Sequence, residues 1–307
     1  MAKETYNLED LRRWKEVTAS EKVPLRLAVI GDPVAHSLSP QMHNAALEAM
    51  GEQVRYARLH LKPEELEEGL GLLPRAGFIG INVTIPHKAA VLELVDHVDD
   101  HARLMGAVNT VLVEGDTLHG FSTDGPGFVR AIREEFSVDV RDLRVMVLGA
   151  GGGAGRSIAM QCALEHCERL VLVNRTVERA ESLAKELAPY MRTSQLLGPK
   201  DRLAVLSTDP VALEEELQDI DLIVNATSIG MARTDPSPLP QRALMPFHMV
   251  YDTVYAHGDT RLVLAARAVG ARAANGLSML LHQGVLSLEI WLQKSPPVSV
   301  MRAALGA

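Results

Sequence analysis

The sequence predicts an α/β protein of two domains built on largely parallel sheets, and three observations carry that prediction. The chain has 307 residues, more than the roughly 100 to 200 of a typical single domain. From residue 25 onward, short β-rich runs alternate with segments of helical period, the pattern of strands joined by crossover helices. The alternation then restarts at residue 144, where a strand-like run leads straight into a glycine-rich stretch. Composition agrees: 47% hydrophobic and 23% charged residues exclude disordered and collagen-like classes.

Charge and cysteine content narrow the partners. Thirty-one basic against 39 acidic residues leave a formal charge of −8, which opposes non-specific binding to nucleic acid or an anionic membrane. No apolar run approaches the roughly 20 residues needed to span a bilayer, so neither a nucleic-acid nor a membrane partner is expected. The two cysteines, Cys162 and Cys167, sit in one helical stretch without a shared face and read as core residues. They make no disulfide framework, so a reducing, cytoplasmic compartment is expected.

The elements follow in order. The N-terminal segment mixes Glu4, Glu9, Asp10, Arg12 and Arg13, which is neither signal nor anchor; it reads as a helical extension over 1–22, with its helix at 8–17. A first strand at 25–30 precedes a helix that Ser39 caps, Pro40 opens and Gly51 stops. A strand at 55–61, a helix at 63–73, a strand at 77–85 and a helix at 88–95 come next. Two strands, 110–113 and 118–121, joined by Glu114-Gly115-Asp116, form a hairpin. A helix within 124–142 links the two domains. After the strand at 144–148 and the glycines, a helix runs to about His166. Further strands are expected at 170–173, 222–225 and 249–254, with helices at 177–187 and 260–269. The Pro-rich stretch 235–240 is a surface loop, and the last helix, 277–293, follows Asn275-Gly276.

Several of these junctions carry chemistry. Gly149-x-Gly151-x-x-Ala154 lies between a strand and a helix, where small residues let backbone N–H groups approach a pyrophosphate at the helix N-terminus. That context favours nucleotide binding over a merely tight turn. The end of the next strand reads Asn174-Arg175-Thr176, then Arg179. An acidic residue there would hold ribose hydroxyls, whereas guanidinium groups suit a phosphate, so these residues argue for NADP(H) over a pair of solvated arginines.

The run Asn82-Val83-Thr84-Ile85-Pro86-His87-Lys88 leaves a strand for a helix, so its polar side chains face the carboxyl edge of a sheet, where α/β proteins place ligands. Asp124 stands at the domain junction, and a Lys–Asp pair could steer a proton while a hydride moves. Taken alone, either residue reads better as a surface group, as most lysines and aspartates are. In His36-Ser37-Leu38-Ser39 two hydroxyls precede a helix and could hold a carboxylate, although capping explains Ser39 as well. His97 and His101, four apart in a helix among Asp96, Asp99 and Asp100, read as a solvated face rather than a metal site, and no metal is expected.

Together these strings resemble one family. Gly31-Asp32-Pro33-Val34-Ala35-His36-Ser37-Leu38-Ser39-Pro40, Gly80-Ile81-Asn82-Val83-Thr84-Ile85-Pro86-His87-Lys88, Gly106-Ala107-Val108-Asn109-Thr110 and Thr123-Asp124-Gly125 occur in the order found in shikimate/quinate dehydrogenases. So do the glycine-rich loop, Asn174-Arg175-Thr176, Asn225-Ala226-Thr227-Ser228, Tyr251-Asp252-Thr253-Val254-Tyr255, and Gly276-Leu277-Ser278-Met279-Leu280 leading to Gln283.

The resemblance implies two α/β domains flanking a cleft: a substrate-binding domain, 1–123 plus 277–307, and a Rossmann-like NADP-binding domain, 124–276, with the C-terminal helix returning to the first. It implies reversible NADP-dependent interconversion of 3-dehydroshikimate and shikimate, with Lys88 and Asp124 as the catalytic pair. Ser37 and Ser39, helped by Tyr255, would bind the substrate carboxylate. Asn82, Thr84, Asn109 and Gln283 would hydrogen-bond the ring hydroxyls. Gly149, Ala150, Gly151, Gly152, Gly153, Ala154, Asn174, Arg175, Thr176, Arg179, Thr227 and Gly276 would hold the cofactor, the Asn174–Arg179 group at its 2′-phosphate and Gly276 near the nicotinamide. The remaining partner would be the chain itself, as a monomer or homodimer.

Three positions depart from the family pattern. Ser122 stands where Asn is common, the glycine-rich loop carries one residue more before Arg156, and His257 replaces a frequent proline. Quinate dehydrogenase is the neighbouring alternative, and a non-catalytic NADPH-binding sensor is the alternative of a different class.

Overall fold

The computed structural model describes residues 3–191, 201–255 and 258–306. In chain order it contains α1 (Leu8–Arg12), α2 (Trp14–Val17), β1 (Leu25–Gly31), α3 (Ser39–Ala49), β2 (Arg55–His60), α4 (Leu66–Ala76), β3 (Gly80–Val83) and α5 (Lys88–Leu94). Then come β4 (His97–Val98), α6 (Asp100–Met105), β5 (Thr110–Glu114), β6 (Thr117–Phe121), α7 (Asp124–Phe136), β7 (Arg144–Leu148), α8 (Gly153–Leu164) and β8 (Arg169–Val173). The chain continues through α9 (Val177–Met191), β9 (Leu203–Leu206), α10 (Pro210–Leu217), β10 (Leu222–Asn225), β11 (Met249–Asp252), α11 (Arg261–Ala268), β12 (Arg272–Ala274), α12 (Leu277–Leu292) and α13 (Val298–Leu305). It divides into two compact units, Met1–Thr123 with Leu280–Ala307, and Asp124–Met279.

The first unit holds a six-stranded sheet in the order β2-β1-β3-β5-β6-β4. β1 pairs in parallel with β2 and β3, and β5 runs antiparallel to β3. Both faces are covered, and β1 shows how the sequence achieves it. Ala28 and Ile30 enter one apolar cluster with α1 and α4, while Leu27 and Val29 enter another with α3, α12 and α13. Side chains two apart share a strand face, so a nearly continuous apolar run is what a doubly covered parallel strand requires.

The N-terminal extension belongs to this unit's core. Tyr6, Leu8, Leu11 and Trp14 are buried, each stabilising by roughly 1.5–3 kcal/mol. Tyr6 also pairs with the outer strand, donating to the Arg58 carbonyl at 2.9 Å and accepting from His60 N–H at 2.7 Å. That contact covers a sheet edge which would otherwise present unpaired backbone groups.

The second unit has six parallel strands in the order β12-β11-β10-β7-β8-β9. Met146, Leu148, Val171, Val173 and Ile223 pack with α10 and α11, and α8 and α9 pack against β7 and β8. The strand order reverses between β7 and β10, the position at which such sheets open a crevice at their carboxyl ends.

Several expectations need correction. Ser39 is the first helical residue of α3 and its side chain caps nothing; Leu38 holds the cap position, and Ser37 Oγ accepts the Ser39 N–H at 3.3 Å. The extension's helix breaks at Arg13 into α1 and α2. Pro63–Glu65 is a 3-10 turn and α4 runs on to Ala76, stopped by Gly77 in the left-handed conformation. β3 is shorter than the 77–85 run. His97 lies in a strand and His101 in a helix, with His97 pairing instead with His119 across β4 and β6. Cys167 lies beyond the end of α8, and both cysteines are free and buried. β4, β9, α10, β12 and α13 were not foreseen; they are short, and β9 is half-buried throughout, so their periodicity is weak.

Candidate active site

In the first unit the expected substrate residues gather at the carboxyl ends of β1 and β3. Thr84 follows β3, its N–H donating to the Ile30 carbonyl at 2.9 Å. Gly31 lets it approach, since a Cβ there would lie 2.4 Å from Thr84 Cγ2. Lys88 opens α5, half-buried, with its backbone carbonyl accepting Val108 N–H at 2.9 Å.

A buried polar network joins the amides. Asn82 Oδ1 accepts from Tyr56 Oη at 2.8 Å, and Asn82 Nδ2 donates to Ser287 Oγ at 2.9 Å and to Thr110 Oγ1 and the Asn109 carbonyl at 3.2 Å. Both amide hydrogens are thereby engaged, so what Asn82 retains is acceptor capacity at Oδ1. Asn109 Oδ1 accepts Thr123 N–H at 2.7 Å, and Asn109 Nδ2 donates to Thr123 Oγ1 at 2.9 Å and to Gln283 Oε1 at 3.3 Å. Gln283 Nε2 in turn donates to the Leu280 carbonyl at 2.7 Å. Fully satisfied buried networks of this kind rigidify the groups they hold.

Ser37 closes the loop after β1. Its N–H donates to the Val34 carbonyl at 3.1 Å, its carbonyl accepts from Arg58, and its Oγ accepts from Ser39 N–H. The hydroxyl proton is the part of Ser37 left for an incoming acceptor. Ser39 itself is buried.

Ser122 stands beside this network with a buried Oγ that has no hydrogen-bond partner among the described residues. An unmade hydrogen bond means that deleting the hydroxyl removes a desolvation cost and no interaction. Ser122→Ala is therefore expected to leave Tm unchanged or raise it. A drop of more than about 4 °C, equivalent to roughly 1–2 kcal/mol in a chain of this size, would show that the hydroxyl has a partner, such as an enclosed water.

The expected cofactor residues gather in the second unit at the reversal point of its sheet. Gly149 adopts φ +82°, and a Cβ on it would lie 2.9 Å from Thr227 Cγ2; no side chain is tolerated at that turn. A Cβ on Gly151 would meet Arg179 Cβ at 2.8 Å and Asn174 Nδ2 at 3.0 Å, so the loop after β7 is packed directly on the end of β8. Ala150 is buried, whereas a Cβ on Gly153 would have no neighbour within 4 Å and one on Gly152 only the Gly149 carbonyl, at 3.4 Å. The start of α8 thus faces open space with helix-terminal N–H groups, Ala154's among them, that have no acceptor inside the helix. Arg175, Thr176 and Arg179 are exposed at the end of β8, where Asn174 Nδ2 donates to the Thr176 carbonyl at 2.8 Å. Open space, helix-terminal donors and a pair of exposed guanidinium groups fit a dinucleotide with a 2′-phosphate.

Thr227 is held from behind. Its hydroxyl donates to Asn225 Oδ1 at 2.7 Å, and Asn225 Nδ2 donates to Asp252 Oδ1 at 2.9 Å. Asp252 is fully buried and also accepts from Thr260 Oγ1 at 2.6 Å and Val254 N–H at 3.1 Å. Burial pushes its pKa up, and those hydrogen bonds oppose the rise. A Cβ on Gly276 would lie 2.1 Å from the Thr253 carbonyl, so that residue too must be glycine. Tyr255, half-buried, follows β11 in this same unit. Asp124 opens α7 and is buried. Arg156, next to the lengthened loop, pairs with Glu186 of α9 at 2.7 Å. His257 lies outside the described residues.

Sequence reasoning missed Tyr56, Arg58, Thr110, Thr123 and Ser287. Tyr56 and Arg58 are two apart on a strand and share a face, which offered a signal; Ser287, on a helix far along the chain, offered none. Among the described residues no group of His, Cys, Asp and Glu is suited to a metal ion, and no helix is long and apolar enough to cross a membrane.

Comparison with known proteins adds three matches to family models. Residues 29–111 match the shikimate dehydrogenase substrate binding domain, residues 131–232 shikimate / quinate 5-dehydrogenase, and residues 276–305 the shikimate 5'-dehydrogenase C-terminal domain. The shikimate dehydrogenase (NADP(+)) of Methanopyrus kandleri is 43% identical over 91% of this chain and 94% of its own length. That of Geobacter metallireducens is 41% identical over 94% and 96%. A crystal structure of the shikimate 5-dehydrogenase of Thermus thermophilus, in complex with NADP(H) and shikimate, superposes with a TM-score of 0.79 at 37% identity, covering 91% of this chain and 98% of that one.

Proposed function

The chain belongs to the shikimate dehydrogenase family, and from that premise we propose that it catalyses the reversible NADP-dependent reduction of 3-dehydroshikimate to shikimate. The observation that carries the reading is the gathering at one sheet edge of Ser37, the Asn82–Asn109–Gln283 network, Thr84 and Lys88. That set offers hydroxyls for a carboxylate, amides for ring hydroxyls and an ammonium for a ketone oxygen. Ser37 and Ser39, with Tyr255, bind the carboxylate; Asn82 accepts from a ring hydroxyl, and Thr84, Asn109 and Gln283 complete the ring contacts. Gly149 to Ala154, Asn174, Arg175, Thr176, Arg179, Thr227 and Gly276 hold NADP.

When bound, NADPH supplies the hydride that reduces the ketone. As the ketone oxygen gains negative charge, the Lys88 ammonium stabilises it, by about 4 kcal/mol at 4 Å with an effective dielectric near 20. Lys88 then donates the proton that completes the alcohol, and in the oxidative direction it accepts that proton. Asp124 is the second member of the catalytic pair. The enzyme works in the cytoplasm as a monomer or homodimer; the cytoplasmic assignment is supported by two free, buried thiols, of which burial pushes that of Cys167 up to about 12.

The test is a steady-state absorbance assay crossing shikimate and quinate with NADP and NAD, in wild type and Arg175→Gln. Wild type is expected to favour shikimate and NADP. Arg175→Gln is expected to cut the NADP-over-NAD ratio of kcat/KM by about 10- to 100-fold, the size of a lost charge-assisted hydrogen bond. Comparable quinate turnover or an NAD preference in wild type would reassign the enzyme. NADPH binding with no turnover of either substrate would make it a sensor.

A further inference from the structure

We infer that Arg58 is a positioning residue that sets the preference for a carboxylate-bearing substrate, by clamping the Ser37 carbonyl and lending its charge to the serine loop. The inference deepens the proposed function and rests on Ser37 and Ser39 as the carboxylate site. Arg58 lies on β2 and reaches across to the loop after β1. Its Nη2 and Nε donate to the Ser37 carbonyl at 2.7 and 3.3 Å, and Nη2 also donates to Gln41 Oε1 at 3.2 Å in the first turn of α3. β2 is itself pinned to α3 beside it, Tyr56 N–H donating to Asn44 Oδ1 at 2.8 Å and Asn44 Nδ2 to the Tyr56 carbonyl at 2.9 Å. The guanidinium therefore sits on a fixed strand and fixes the loop.

Two features make this more than a structural clamp. With its N–H, carbonyl and Oγ lone pair all engaged inside the protein, Ser37 presents its hydroxyl proton as a donor, and a carboxylate is an acceptor-only partner. The hydrogen bonds of Arg58 go to neutral oxygens, a carbonyl and an amide, so among the described residues no carboxylate partner cancels its charge there. Neutral hydroxyls alone make a weak anion site. A half-buried cation hydrogen-bonded to the Ser37 carbonyl supplies a favourable field that solvent screens only partly.

The experiment compares shikimate with its methyl ester, which keeps the ring and removes the charge, in wild type, Arg58→Met and Arg58→Lys, with NADP. In Arg58→Met, KM for shikimate is expected to rise about ten-fold, kcat to stay within about three-fold, and KM for the ester to change by less than about three-fold. KM for NADP should not move, and Arg58→Lys should recover most of the preference for the acid. Equal losses for acid and ester would reduce Arg58 to a loop clamp and overturn the inference, as would an Arg58→Lys enzyme no better than Arg58→Met. Should Arg58→Met fail to fold, salt titration of the wild type decides: KM for the acid must rise with salt more steeply than KM for the ester. Failure of the underlying reading is separately visible, as wild type that does not turn over shikimate.

Discussion

Lys88→Met is expected to lower kcat for shikimate oxidation by about 10³-fold, within the 10²–10⁴ range of a lost general acid–base group, to which lost charge stabilisation adds. Methionine keeps an unbranched stem of similar length and deletes the ammonium, so the substitution isolates the charge and the transferable proton. Lys88 is anchored through its backbone, where its carbonyl pairs with Val108 N–H at 2.9 Å, and α5 is held in the core by Val91. With those backbone and core anchors kept, the variant should still unfold as a cooperative, folded protein. It should also bind NADPH, followed by cofactor fluorescence, as tightly as wild type. The informative quantities are kcat and Tm measured together: a variant that folds and keeps more than a tenth of wild-type kcat removes Lys88 from the chemistry.

A second large effect concerns stability and pH. His43, on α3, is completely buried; it stacks on Tyr56 at 4.4 Å between ring centroids and lies 5.8 Å from Trp291. Neither ring nitrogen has a hydrogen-bond partner among the described residues. Burial lowers its pKa from 6.5 to about 3, opposed in part by the nearby Asn82 amide. The folded protein thus refuses a proton that the unfolded chain accepts between pH 6.5 and about 3. The contribution of neutral His43 is fully present above pH 6.5 and is lost progressively as pH falls through that window, by up to about 1.4 kcal/mol per pH unit.

Denaturant unfolding of wild type and His43→Leu at pH 7, 6, 5 and 4.5 measures this. Leucine loses the stacking but also removes two unpartnered buried ring nitrogens, so the two effects oppose each other at pH 7. The stability of wild type relative to His43→Leu should then fall as pH drops below 6, approaching the slope given above. Parallel pH dependence of the two proteins would mean that His43 is not the group that titrates. The consequence for activity follows from Tyr56, which His43 stacks on and which donates to Asn82: acid that loosens His43 loosens the amide network of the substrate side.

Much of the architecture and cofactor chemistry was legible in the sequence, and the reason is that the signals were local. The strand 144–148, its glycines and the following helix are contiguous, and the Arg175 region begins one strand later. Small residues at a strand–helix turn and polar residues at a strand end declare their roles within a few positions. The first strand announced itself by being apolar at nearly every position. The candidate ligands Ser37, Thr84 and Lys88 were visible for the same reason, each lying just past a strand.

What was not legible was what holds those ligands. Asn82 and Ser287 are 205 positions apart, Asn109 and Gln283 are 174 apart, and Arg58 and Ser37 are 21 apart; no period or spacing links the members of such pairs. Ser39 shows the limit at short range, because capping propensity selected it while the fold gave the cap position to Leu38. The sequence by itself determined the alternating architecture, the glycine turn and the polar strand ends, because those depend on backbone preference and side-chain period within a few residues. Only the tertiary structure decided which donor remains free at Ser37 and which acceptor at Asn82, why His43 stays neutral, and where the charge of Arg58 is directed. Each of those depends on burial and on partners brought together by chain segments distant in sequence.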